Sequence, residues 1–419
     1  MVSTIWIGDV SYEKVQLYIR GSRRTTAPAA HDLRRVRELH GVMMLSSRTS
    51  TVIKAVVAVS ALLVAGVAIA DTDVRQSFDI VVPRAPAPTR VGSQDLLVYE
   101  LHLTNFASRP LTIARIEVRE ASEGRVLLQL DGRALETATG RPGAVATNKL
   151  TLAPGERAIV YIEAPIVMGT VVEVVHNRVE YAPDGEIAAS PSLVENRIAV
   201  DRRALPVLTP PLRGGPWVAV YDPSLERGHR RVIYAVGGRA AIPGRFAVDW
   251  MRPGLEQGGS GESGAGEDVL AVADGIVVAV RADVPEPPSN VPRPRVRLAD
   301  APGNYVAIDI GSGRYAFYEH LLPGSQIVRG QRVRRGQVIG RLGSTRSASR
   351  PHLHFHLADA NSPLDAEGIP YRLANARILA SYPSITAFEA AAPWQPAVSV
   401  GEAPSFPQPN VIVMFGDRK

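Results

Sequence analysis

Three histidines of the 419-residue chain fall at alternate positions, His352, His354 and His356. On an extended strand such positions share one face, and Leu353, Phe355 and Leu357 between them share the other. The leucines and the phenylalanine then supply core, and the histidines form a polar face. Neutral imidazole is a common metal ligand and a common general base near neutral pH. The chain has only nine histidines, so three on one strand face point to a site rather than to scattered surface polarity. His320 closes the largely aromatic and apolar segment Arg314 to His320, and Asp249 is bounded by Phe246, Ala247, Val248 and Trp250. A carboxylate in such company is costly to bury without a partner. A metal ion would be one partner and an arginine another.

The elements that must position these groups read as strands throughout. Segments such as Leu96 to Asn105, Leu111 to Val118, Glu156 to Glu163 and Val171 to Tyr181 alternate apolar and polar residues, with turn residues between them. They predict a β-sandwich-like module over residues 76–204. It carries no catalytic constellation, and its His102 and His176 read as surface residues. Leu205 to Gly215 is rich in proline and glycine and predicts a stiff linker over 205–216. A second strand-rich domain follows over 217–377, with strands expected at Trp217 to Tyr221, Arg231 to Val236, Phe246 to Trp250, Gly275 to Arg281, Arg314 to His320 and His352 to Leu357, among others. Residues 378–419, rich in alanine and proline, read as a weakly ordered tail. The fold class expected is all-β.

Composition removes several function classes. There is no cysteine, so neither a disulfide nor a thiolate site can form. No lysine occurs between Lys149 and Lys419, which excludes a biotinyl or lipoyl carrier despite the hairpin turn Ala273-Asp274-Gly275. No Gly-x-Ser-x-Gly elbow on a strand-to-helix turn supports a serine hydrolase. The formal charge of +6 favours anionic surroundings, but no basic run is interleaved with aromatics, so no nucleic-acid partner is expected. Arg48 and Lys54 precede an uncharged, mostly apolar run from Ala55 to Ala70 that ends in Ala68-Ile69-Ala70. This pattern predicts a signal peptide or membrane anchor over 43–70, and hence export to the periplasm or cell envelope. Residues 1–42 read as an upstream extension.

The ordered set Asp249, then Leu270 to Val277, Gly303-Asn304-Tyr305-Val306, Tyr318-Glu319-His320-Leu321, Val333 to Gly340 and Pro351-His352-Leu353-His354-Phe355 resembles the lysostaphin-like (LytM-type) zinc metallopeptidases. The resemblance spans residues 217–377. It implies a duplicated hybrid motif with an antiparallel β-sheet, one Zn2+ and hydrolysis of peptide bonds in peptidoglycan. It would make Asp249 and His354 metal ligands, and His320 and His352 the pair that orients the attacking water and stabilises the oxyanion. The family's remaining ligand, a histidine four residues before the aspartate, is here Arg245. A guanidinium cannot ligate a metal and could instead pair with Asp249. Two readings follow. Either His229 or His356 substitutes as a ligand, or the site is degenerate and the domain binds cell-wall peptide or regulates another hydrolase.

Overall fold

In the computed structural model, residues 76–143, 148–183, 192–254, 264–288, 296–396 and 403–416 are described. The upstream extension and the apolar run expected to be a signal or anchor lie outside them. Among the described residues no helix is long and apolar enough to cross a membrane. Among the described residues the architecture is mostly β, with two short α-helices, Gly132–Ala138 and Ile385–Glu389.

The N-terminal part is a pair of five-stranded sheets. One runs Phe78–Val81, Gln94–Asn105, Arg157–Ile166, Thr139–Gly140, with Pro88–Val91 added against Gln94–Asn105. The other runs Ser192–Ala199, Val174–Pro183, Leu111–Glu120, Val126–Asp131, with Thr151–Leu152 against Leu111–Glu120. Leu97, Tyr99, Leu101 and Leu103 alternate along Gln94–Asn105 and share one core with Ile113, Ile116, Val118, Val175 and Val179. Each such aliphatic side chain contributes about 1.5–3 kcal/mol on burial. Tyr99 fastens the two sheets by donating its hydroxyl to Asn177 Oδ1 at 2.6 Å.

The other face of Gln94–Asn105 is also buried. Val98 belongs to the core of the C-terminal domain, and Glu100 and His102 are closed off from solvent. His102 is therefore not the surface residue the sequence suggested. Burial pushes its pKa down to about 4, so it is neutral at physiological pH.

The C-terminal domain is built on a ten-stranded antiparallel sheet. Its order is Arg332–Val333, Gly275–Arg281, Tyr305–Asp309, Tyr315–Glu319, Leu353–Ala358, Val248–Met251, Gly214–Val220, Val411–Phe415, Ala376–Ser381, Gln395–Pro396. The central strand Leu353–Ala358 buries Leu353, Phe355 and Leu357 in the main core with Trp217, Trp250 and Tyr318. This places the histidines on the opposite face, as the period of two requires.

Two boundaries differ from those expected. The 205–216 segment is more than the stiff linker expected: Val207–Leu208 pairs in parallel with Arg372–Leu373, and Leu208 and Leu212 enter the core. Residues 378–419 are not simply a tail. Val411–Phe415 lies between Gly214–Val220 and Ala376–Ser381, and its Val411, Val413 and Phe415 are core residues. Five consecutive residues of high β-propensity and low polarity cover the open edge of Gly214–Val220, and that burial outweighs the proline-rich approach.

Candidate metal centre

Strand register brings the first two groups together. His354 lies directly opposite Asp249 on Val248–Met251 and directly opposite Glu319 on Tyr315–Glu319. Side chains paired in register share a sheet face, so an acid flanks His354 on either side. Asp249 Oδ1 sits 2.9 Å from His354 Nδ1 and 3.6 Å from His352 Nε2.

His229 arrives from outside the sheet. It opens the short 3-10 turn His229–Arg231, where a strand had been expected from Arg231 onwards. Its Nε2 lies 3.3 Å from Asp249 Oδ2, and its ring meets the His354 ring edge-on at 4.7 Å between centroids. A second 3-10 turn, Pro243–Phe246, packs against the first. Gly244 makes that approach possible: a Cβ there would stand 2.7 Å from the carbonyl oxygen of His229. His229, Asp249 and His354 offer three donor atoms within 4.8 Å of one another. Two imidazoles and one carboxylate are a usual zinc set that leaves a coordination position open.

Arg245 does not pair with Asp249. Its side chain turns into the domain interface, where Nε donates to Glu100 Oε2 at 2.7 Å and Nη2 lies 2.7 Å from Glu367 Oε2. Two buried carboxylates outcompete one that is already flanked by three histidines. His356, the other candidate substitute, is not in the Asp249 group. Its Nδ1 stands 3.2 Å from His354 Nε2 and 3.8 Å from Glu319 Oε1, and its ring stacks on Phe317. Glu319, His354 and His356 form a second cluster on the far side of His354. For His354 Nδ1 to offer a lone pair, the ring proton must sit on Nε2, and His356 Nδ1 is placed to accept it.

His320 and His352 lie beside this group, with ring centroids 4.8 Å apart. His320 adopts a left-handed backbone, φ +63°, which costs about 1–2 kcal/mol for a side chain of L configuration. The surroundings hold it there. Its N–H donates to Pro302 O at 3.0 Å, while the Asn304 amide donates to Leu321 O at 3.1 Å. The Nδ1 atoms of His320 and His352 each lie 2.9 Å from a backbone carbonyl, of Thr345 and Arg350 respectively. A carbonyl only accepts, so each Nδ1 carries a proton, and burial keeps His320 neutral with a lone pair on its Nε2.

Charge states follow from burial and neighbours. Burial would raise the pKa of Asp249, but His229 and His352 outweigh it and hold the carboxyl well below its usual range. Burial would lower that of His229, yet Asp249 and a backbone hydrogen bond to Ala247 leave it raised. Burial takes His320 and His356 well below the ordinary imidazole value and also lowers His354. Glu319 is pushed up to about 8 by burial and by the Asp249 charge, so it is largely protonated at neutral pH. A metal ion entering this group competes with the proton that Asp249 favours on His229. Metal affinity should rise with pH through the range where His229 deprotonates, and weaken below it. Calorimetry in buffers of different ionisation enthalpy should show proton release on binding that diminishes as pH rises.

The sequence model of Peptidase family M23 matches residues 256–366. The chain carries a Peptidase family M23 domain. The matched segment includes His320, His352, His354 and His356 and starts after Asp249 and His229. Two curated relatives from Vibrio cholerae serotype O1 are similar over a short stretch. The peptidoglycan DD-endopeptidase ShyA is 42% identical over 66 residues, covering 15% of this chain and 15% of its own length. The peptidoglycan DD-endopeptidase ShyB is 39% identical over 71 residues, 17% of this chain and 16% of its own. Among solved structures, a putative peptidase M23 from Pseudomonas aeruginosa aligns at 18% identity with TM-score 0.24, covering 60% of this chain and 88% of the other. The catalytic domain of lysostaphin from Staphylococcus simulans aligns at 20% identity with TM-score 0.22, covering 38% and 88%.

Of the residues singled out from sequence, Asp249, His354 and His229 converge, His320 and His352 line the same place, and His356 stands behind His354. Glu319 and Glu100 escaped notice. Glu319 was visible as an acid at the end of an apolar strand. Glu100 lay in a module with no apparent chemistry, and its partners lie more than a hundred residues away in sequence.

Proposed function

We propose that the protein is an exported zinc metalloendopeptidase that cleaves peptide bonds in bacterial peptidoglycan. The observation that carries this reading is the convergence of His229, Asp249 and His354, with the rings of His320 and His352 fixed at Nδ1 beside them. The substrate class is supported by the short similarities to the two peptidoglycan DD-endopeptidases. Export is supported by the basic, apolar and Ala-x-Ala pattern over 43–70.

His229, Asp249 and His354 would hold the zinc ion. The ion, when bound, acts as a Lewis acid towards a carbonyl and makes water more acidic. His320 and His352 do the rest. An Nε2 lone pair accepts a proton from the attacking water. The imidazolium so formed donates to the oxyanion, a kind of contact worth about 3–4 kcal/mol in hydrolases of this general type, or passes the proton to the departing amine. Both rings are fixed by backbone carbonyls, so they keep their orientation without reorganisation.

The degenerate reading drew its support from Arg245 at an expected ligand position and from its possible pairing with Asp249. Arg245 contacts Glu100 and Glu367 instead, which leaves Asp249 available, and His229 stands where it can substitute. The test is metal analysis with digestion of purified peptidoglycan sacculi. One zinc per chain and release of uncrosslinked peptides are expected. Sacculi left intact by fully zinc-loaded protein would sink the reading.

A further inference from the structure

We infer that the N-terminal sandwich is a working part of the metal centre, with Glu100 acting as the positioning residue that places His229. This rests on the proposed zinc site and adds what holds its third ligand in place.

Glu100 sits mid-strand in the sandwich with 1% of its surface exposed, on the face that turns away from the sandwich core. Both carboxylate oxygens are used by the other domain. Arg230 Nε donates to Oε1 at 2.9 Å, and Arg245 Nε donates to Oε2 at 2.7 Å. One acid of the sandwich therefore gathers two arginines from two different turns.

Those turns frame His229. Arg230 is its immediate neighbour in the His229–Arg231 turn. Its remaining donors also go to the sandwich, with Nη1 to Glu163 Oε1 at 2.6 Å and Nη2 to the carbonyls of Tyr99 and Ile162 at 3.0 and 2.9 Å. The turn that carries His229 is thus moored to the sandwich through Arg230, while the His229 ring itself meets Asp249 and the Ala247 backbone. Arg245 follows Gly244, the residue pressed against His229, and continues to Glu367 and the carbonyl of Gly368. Glu100 closes the arrangement from the far side.

Asp249 and His354 need no such help. They face each other in a β-ladder within the C-terminal sheet. The metal group is therefore assembled from two sources, a rigid strand pair and a turn held by the neighbouring domain. Removing the Glu100 charge leaves two buried guanidinium groups competing for the remaining acceptors, which is strongly unfavourable. Arg230 must then shift or hydrate. Its Cα is one peptide unit, about 3.8 Å, from that of His229, so His229 moves with it. A site that tolerates ligand errors of only about 0.5 Å does not survive that displacement unchanged.

The test uses the full chain as wild type, Glu100→Gln, Arg230→Met and Glu163→Gln. Zinc dissociation constants are measured by competition with a chromophoric chelator, below the unfolding temperature of each metal-free variant. Cobalt absorption spectra report the ligand geometry directly. Glu100→Gln and Arg230→Met should each lose about 10–100-fold in zinc affinity, as removal of a ligand-orienting partner does elsewhere, and should show an altered cobalt spectrum. Arg230→Met keeps the aliphatic stem and leaves Arg245 with Glu100 as a balanced pair, so it serves if Glu100→Gln does not fold. Glu163 is 41% exposed, and its replacement should change affinity by no more than about fivefold. Folded Glu100→Gln or Arg230→Met with wild-type affinity and an unchanged cobalt spectrum overturns the inference and leaves the zinc site standing. A wild-type chain that binds no zinc overturns the proposed function itself, and the inference with it.

Discussion

Replacing His354 by alanine should abolish zinc binding at micromolar supply and remove peptidoglycan hydrolysis, while the protein stays folded. Two independent contacts meet at this one ring. Nδ1 faces Asp249 Oδ1 at 2.9 Å and Nε2 faces His356 Nδ1 at 3.2 Å. A structural zinc site of four ligands gains about 10–16 kcal/mol in apparent affinity. One ligand is then worth on the order of 3 kcal/mol, or roughly a hundredfold in affinity. His354 supplies that share and also holds the orientation of Asp249, so its loss should exceed the loss from His356→Ala, which removes only the partner of Nε2. The strand itself should survive. Leu353 and Phe355 keep their places in the core, and His354 is only partly buried at the strand's polar face. Metal content by elemental analysis, circular dichroism and turnover of sacculi separate the three effects. A His354→Ala protein that retains one zinc per chain would refute the assignment of this ring as a ligand.

The parts of this site that sequence displays are those generated by a short period. His352, His354 and His356 declare their shared face because a strand repeats every two residues, and the interleaved Leu353, Phe355 and Leu357 confirm the phase. Asp249 is legible because an acid among Phe246, Val248 and Trp250 demands a partner. His229 is only half legible. Its type is right, but nothing local says that Gly244 lets a second turn press it towards Asp249. The fate of Arg245 is not legible at all, because Glu100 lies 145 residues earlier in the chain. In Glu100's own strand the alternation that marks Leu97, Tyr99, Leu101 and Leu103 as core equally marks Glu100 as outward. Only the docking of a second domain turns outward into buried. The same blindness to distant pairing explains the C-terminal segment. Val411–Phe415 has strand-forming composition, but the gap it fills beside Gly214–Val220 opens only once the sheet is assembled.

The second large effect concerns Arg245, where the family resemblance invites the wrong repair. Arg245→His restores the residue type expected four positions before Asp249, and should nonetheless destabilise the protein by about 3–5 kcal/mol without tightening zinc binding. The side chain at this position does not look towards Asp249. It spans Glu100 and Glu367, with each carboxylate 2.7 Å from a guanidinium nitrogen, and it donates to the Gly368 carbonyl at 3.1 Å. Imidazole is shorter and has two nitrogens rather than three. It cannot answer two buried acids at once. Glu100 would be left with Arg230 alone, and Glu367 would keep only its weak acceptance from the Ile242 N–H at 3.4 Å. Burial already works against the charged form of Glu100, whose pKa stays below the ordinary carboxylate value only through Arg245 and Arg230. With one arginine gone, its pKa should rise. The part of the stability that depends on this ionised carboxylate would then be lost at a higher pH than in the wild type as the solution is acidified. Urea unfolding of the metal-free protein at two pH values measures the loss, and chelator competition measures the zinc affinity. Stability within about 1 kcal/mol of wild type, together with tighter zinc binding, would mean that position 245 can reach the metal after all, and that the interface charges are worth far less than their burial implies.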